Sequence, residues 1–183
     1  TEVLRMRAAE LLGRQEVQAL LDLLKRAKPM VVKEATQDLS LGDIQKVLCN
    51  LLSERVSIRD LSRILECLAD HVGVTKDPDL LTEFVRARLA ANICEEYVNN
   101  DKVLNVISLD PEMERSLRQA IHRDVLGLQL NLDPREGQQM LSSMGKEMDT
   151  LRERGLQPII LTAPDVRAAL RRLFPSRSRS RRQ

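Results

Sequence analysis

Apolar positions recur every three or four residues through the first hundred positions, a period that predicts a run of amphipathic helices. A first helix is expected over Thr1–Leu12, interrupted by Gly13. A second passes through Val17, Leu20, Leu21 and Leu24 and stops before Pro29. Met30–Leu39 reads as a short turn of helix followed by loop. Ile44, Leu48, Leu51 and Leu52 share one face of a third helix, which Ser40 caps and which runs to about Arg55. Ile58, Leu61, Leu65 and Leu68 step along a fourth, from Ser57 to about Val72. There Ser57 stands in the N-cap position, with Asp60 three residues on as a near capping box. Asp77-Pro78 opens a fifth helix, because Pro at the first helical position wastes no hydrogen bond, and Leu81, Val85, Leu89, Ile93 and Tyr97 line one of its faces.

The texture changes at Asn99-Asn100-Asp101. Val103–Leu109 is short, β-branched and bounded by turn residues, so it reads as a strand. Asp110-Pro111 starts a helix through Met113, Leu117 and Ile121, extending toward Val125, and Gly127–Asn131 is a short edge segment or a loop. Asp133-Pro134 starts a long helix with Met140, Met144, Met148 and Leu151 in register, closed by Gly155. Pro158–Thr162 has the look of a buried strand, and Pro164 begins a last helix through Val166, Leu170 and Leu173. The fold class is therefore mainly α with a small α/β part. A helical subdomain is followed, past a boundary near residue 100, by a strand–helix–helix–strand–helix subdomain whose two strands could lie parallel through a right-handed crossover.

Composition sharpens this picture in three places. With two Phe, one Tyr and no Trp among 183 residues, the core must be aliphatic. No apolar run approaches the ~20 residues that cross a bilayer, and Leu4, Met6 and Leu11 are interleaved with charges, unlike a signal peptide. The formal charge of +2 is misleading, because residues 176–183 carry four Arg and no acid, which leaves +2 less 4, or −2, for the rest. That Ser/Arg segment, 175–183, is expected to be a disordered basic tail.

Conventional catalytic patterns are missing: the sequence has no Gly-rich phosphate loop, no Cys-x-x-Cys and no His-Glu-x-x-His. Cys49, Cys67 and Cys94 sit inside helical patterns without metal-ligand spacing and read as buried thiols of a reducing compartment. His71 falls at a helix C-terminus and His122 in mid-helix, where structural or solvated roles outweigh catalysis. Met140, Met144 and Met148 read as core rather than as a binding groove. No enzyme activity, metal, cofactor or small-molecule substrate is implied. The cluster Glu54, Arg55, Arg59 and Asp60 suits a polar hinge, an interaction surface or a solvated corner of ordinary ion pairs.

Two strings carry more than fold. Leu11-Leu-Gly-Arg-Gln-Glu-Val17 and the stretch Val47–Leu68, together with the Asp77-Pro78 helix start and Pro158-Ile-Ile-Leu-Thr-Ala-Pro-Asp-Val-Arg167, resemble the cytoplasmic part of the type III secretion export-gate family (FlhA/LcrD/SctV). The resemblance implies that 1–21 closes a preceding subdomain, 22–100 is the third subdomain and 101–174 the fourth. It departs from the family at Ala35-Thr36, where a Val-Pro is usual, and after Phe174-Pro175, where Ser/Arg repeats replace an apolar strand. It implies a bacterial inner-membrane protein whose cytoplasmic domain forms a homo-oligomeric ring, a nonamer in the full-length protein. Its partners would be other export-apparatus components and chaperone–substrate complexes. Candidate subunit contacts are Glu54, Arg55, Arg59 and Asp60, beside Glu83 and Arg86 on the next helix. The alternative is a stand-alone helical adaptor or nucleic-acid-associated protein using the tail. Without interleaved aromatics that tail makes a weak site, so nucleic acid is not an expected partner.

Overall fold

A computed structural model describes residues 9–99, 101–124 and 127–173. The expected helix over Thr1–Leu12 lies mostly outside them, with only residues 9–11 seen as helical, and the 175–183 tail lies outside them altogether. The chain divides into two compact units, one ending at Glu96 and the other starting at Tyr97.

The first unit is helical: α1 (Arg14–Ala27), α2 (Pro29–Asp38), α3 (Leu41–Ser53), α4 (Leu61–His71), α5 (Pro78–Arg88) and α6 (Ala90–Glu95). Its core is aliphatic and joins Val17 and Leu21 of α1 to Ile44, Val47, Leu48 and Leu51 of α3, Ile64, Leu65 and Leu68 of α4, and Leu81 and Val85 of α5. Local chemistry fixes the helix starts. Ser40 and Asp43 form a reciprocal capping box at α3, each side chain accepting from the other's backbone N–H at 3.2 Å. At α5, Asp77 accepts from Asp79 N at 2.8 Å ahead of the Pro78 start.

Three features of this unit differ from expectation. Met30–Leu39 is not a turn and loop but the ten-residue helix α2, because Val32, Ala35 and Leu39 reach the core three and four residues apart, and packing overrides the weak helical propensity of Met-Val-Val. Ser57 does not cap α4. That helix starts at Leu61 behind Asp60, whose carboxylate accepts from Arg63 N at 3.2 Å, while Ser57 Oγ accepts from Arg59 N in the preceding turn. The fifth helix is broken at Leu89 into α5 and α6 instead of running on to Tyr97.

In the second unit, β1 (Ile107–Ser108) and β4 (Ile160–Leu161) pair in parallel, Ile107 opposite Ile160. Between them come α7 (Pro111–Ala120), β2 (Ile121–Asp124), β3 (Gly127–Leu130) and α8 (Pro134–Glu153), and α9 (Pro164–Leu173) follows. Both strands are shorter than the apolar runs that predict them. Asp110 and Asp133 repeat the Asp–Pro start of α5, accepting from Glu112 N at 2.9 Å and Arg135 N at 2.8 Å. The antiparallel pairing of β2 with β3 replaces the expected helical continuation over Ile121–Asp124, while Val125 lies outside the described residues, and it makes Gly127–Leu130 a strand. His122 is consequently a strand residue opposite Gln129, not a mid-helix one. The four-residue step from Leu117 to Ile121 resembles another helical turn, yet the chain turns extended at Ile121 (ψ 121) and still packs that side chain on the core. Leu117, Met140, Met144, Val166 and Leu170 form this unit's centre, so two of the three aligned methionines serve as core, whereas Met148 is half-buried and outside it.

Among the described residues no helix is long and apolar enough to cross a membrane. Of the three free cysteines, only Cys67 is buried; Cys49 and Cys94 are half-buried, short of the burial expected for all three. Loss of hydration pushes the Cys67 and Cys49 thiols up from their ordinary pKa.

Candidate functional site

The candidate cluster is built at the end of α3. Val56 N donates to Leu51 O and Arg55 N to Leu52 O, both at 2.9 Å, which closes the helix with the paired bonds of a Schellman motif. Gly155 ends α8 in the same way, through Leu156 N to Leu151 O and Gly155 N to Arg152 O, with φ +72. At α3 the residue in that left-handed position is Arg55, φ +61, where any Cβ-bearing residue is strained. The motif turns the Arg55 side chain out to solvent and sends Val56 back into the core.

The six predicted residues then part company. Glu54, at the C-cap, turns inward and meets Arg86 of α5, Oε2 to Nη1 at 2.7 Å, with side-chain exposures of 8% and 19%. Glu83, one turn before Arg86, is buried as well. Asp60 is committed to capping α4. Arg55 and Arg59 are exposed, and among the described residues neither forms an ion pair. Two of the six thus tie α3 to α5, a third is buried on α5 beside them, one shapes a helix start, and two guanidinium groups are displayed.

Sequence reasoning missed the rest of the α3–α5 seam. Asn50, one turn before Glu54, donates to Asp79 Oδ1 at 3.1 Å and Thr82 Oγ1 at 3.2 Å, and Thr82 Oγ1 in turn donates to Pro78 O at 2.6 Å. The signal was present as matching polar stripes: Asn50 and Glu54 four apart on one helix, and Asp79, Thr82 or Glu83, and Arg86 at three- and four-residue steps on the other. In the second unit, α7 performs a comparable task. Glu114 Oε1 accepts from Ala163 N at 2.8 Å, and Arg118 Nε donates to Asp165 Oδ2 at 2.5 Å, clamping the loop into α9. That guanidinium holds the Asp165 carboxyl below its usual pKa.

His71 Nδ1 lies 2.8 Å from Cys67 O, and its ring stacks on Phe84 with centroids 4.2 Å apart. Among the described residues no group of three or more metal-ligating side chains converges. What the geometry offers is a rigid helical unit whose polar seam sets helix register and whose corner presents two cations.

Residues 1–181 match the FHIPEP family model, and the chain belongs to the FHIPEP family. It is 40% identical over 175 residues to the flagellar biosynthesis protein FlhA of Bacillus subtilis, a match covering 95% of this chain and 26% of that protein. The chain therefore spans about a quarter of the length of this curated relative. Its fold is that of the nonameric EPEC SctV-C structure, with a TM-score of 0.86 at 31% identity over 98% of this chain and 54% of that one. It also matches the Chlamydia pneumoniae CdsV chain solved in complex with CdsO, with a TM-score of 0.80 at 32% identity over 96% of this chain and 52% of that one. The export-gate resemblance and the mainly α fold class read from the sequence are thereby borne out.

Proposed function

We propose that this chain is part of the cytoplasmic region of a bacterial type III protein-export gate and works there as a non-enzymatic ring subunit. The observation that carries the reading is the match over nearly the whole chain to a nonameric SctV-C fold at 31% identity. In this reading the first unit corresponds to the third subdomain of the gate and the second to the fourth. The parent protein sits in the inner membrane and assembles nine-fold. Other export components are its partners, as CdsO is for CdsV, and chaperone–substrate complexes pass across it. Arg55 and Arg59 are the members of the candidate cluster left free to meet a neighbouring subunit. Glu54, Glu83 and Arg86 support them from inside. Basic residues at such a rim align and steer subunits more than they supply affinity.

The test is assembly. Expressed in the longest form its gene encodes, the protein should form nine-fold rings visible by electron microscopy. A monomer at every concentration that binds duplex DNA in a salt-sensitive manner would overturn the reading in favour of the tail-based alternative.

A further inference from the structure

We propose that the Arg55/Arg59 corner of one copy docks on an acidic stripe of the next copy made by Glu34 and Asp38 of α2; this rests on the ring-subunit reading above. The two surfaces differ in the sign of their charge. At the corner Glu54 is paired with Arg86, and the stretch from Arg55 to Asp60 sets two exposed guanidinium groups against the one carboxylate of Asp60, which also accepts from Arg63 N, so the corner is net positive. On α2, Glu34 and Asp38 are exposed and four residues apart, and like charges at that spacing repel. Asp38 is also the last residue of α2, whose final turn has no basic residue, so its carboxylate faces the negative end of the helix dipole. Among the described residues neither acid forms an ion pair.

These surfaces stand apart within one copy. Lys28 donates to Ser62 at 2.7 Å and pairs with Glu66 at 3.6 Å, which ties the start of α2 to the first turns of α4. Arg59 lies just ahead of α4, at that end. Asp38 lies at the other end of the ten-residue helix α2, about 14 Å further along its axis. A basic patch and an acidic patch that are displaced on one molecule meet between copies head to tail, and a head-to-tail contact that closes makes a ring.

Three variants test the pairing in the longest natural form of the protein, with ring mass read by mass photometry. Arg55→Asp with Arg59→Glu should raise the subunit concentration needed for half-assembly at least tenfold; Asp is chosen because it tolerates the left-handed backbone. Glu34→Arg with Asp38→Arg should do the same. A basic residue at the end of α2 suits the dipole, so loss of assembly there would not reflect unfolding. The four-fold swap should restore assembly to within about threefold of the parent, since it exchanges the signs across the contact. Failure of the swap to restore it, or rings unaffected by either reversal, would overturn the proposed pairing while leaving the ring-subunit reading intact. A parent protein that never assembles would overturn that reading itself.

Discussion

Arg86 and Arg88 make ion pairs of equal length and different worth. Arg86 meets Glu54 at 2.7 Å with side-chain exposures of 19% and 8%, and Arg88 meets Asp70 at 2.7 Å with 41% and 57%. Water solvates the second pair in either state, so Arg88→Met should cost less than about 1 kcal/mol. Arg86→Met instead leaves the Glu54 carboxylate largely out of water without its guanidinium. Breaking a fully buried pair costs about 3–5 kcal/mol, and the residual exposure of Arg86 lowers the expected loss to about 2–3 kcal/mol. At about 4–8 °C per kcal/mol for a unit of under a hundred residues, its melting midpoint should fall by at least about 8 °C. The double variant Glu54→Leu/Arg86→Met should recover most of that loss, because the Glu54 carboxylate is then no longer left buried without its guanidinium. Circular dichroism melts would give the midpoints, and hydrogen exchange of the α3 and α5 amides would confirm that the affected region is the first unit. Equal losses for Arg86→Met and Arg88→Met would refute the idea that burial sets the worth of these pairs.

Three further outcomes are expected. Arg55→Gly should leave the fold neutral to about 1 kcal/mol more stable, since relief of the left-handed strain offsets the extra chain entropy of glycine, whereas Arg55→Ala should bring no gain; urea titration separates them. Leu48→Ala and Leu117→Ala, each emptying a fully buried site in its own unit, should each cost about 2–5 kcal/mol by the same titration. The lowered Asp165 pKa means that its contribution to stability is complete above the ordinary aspartate value near 4 and is lost as pH falls through the lower folded value. Asp165→Asn should therefore melt lower than the parent at pH 6, and the difference should shrink as the pH falls below the ordinary aspartate range.

Much of the architecture was written in short-range chemistry. The Asp–Pro starts at 77, 110 and 133 and the Ser40/Asp43 box act within four residues, so a linear reading finds them. The aliphatic periodicity likewise named most of both cores, and the Leu11–Val17 and Val47–Leu68 strings pointed to the family before any fold was known. What the sequence left open turned on partners far along the chain. Met30–Leu39 became helix because Val32, Ala35 and Leu39 found a core to enter, and Ile121–Asp124 became a strand because Gly127–Leu130 was there to pair with it. The candidate site divides in the same way. Six charged residues could be named from the family resemblance and the charged corner, but only tertiary packing decided that Glu54 and Arg86 face each other while Arg55 and Arg59 face solvent. Spacing gives the side of a helix on which a charge lies, and burial depends on what comes to rest against that side.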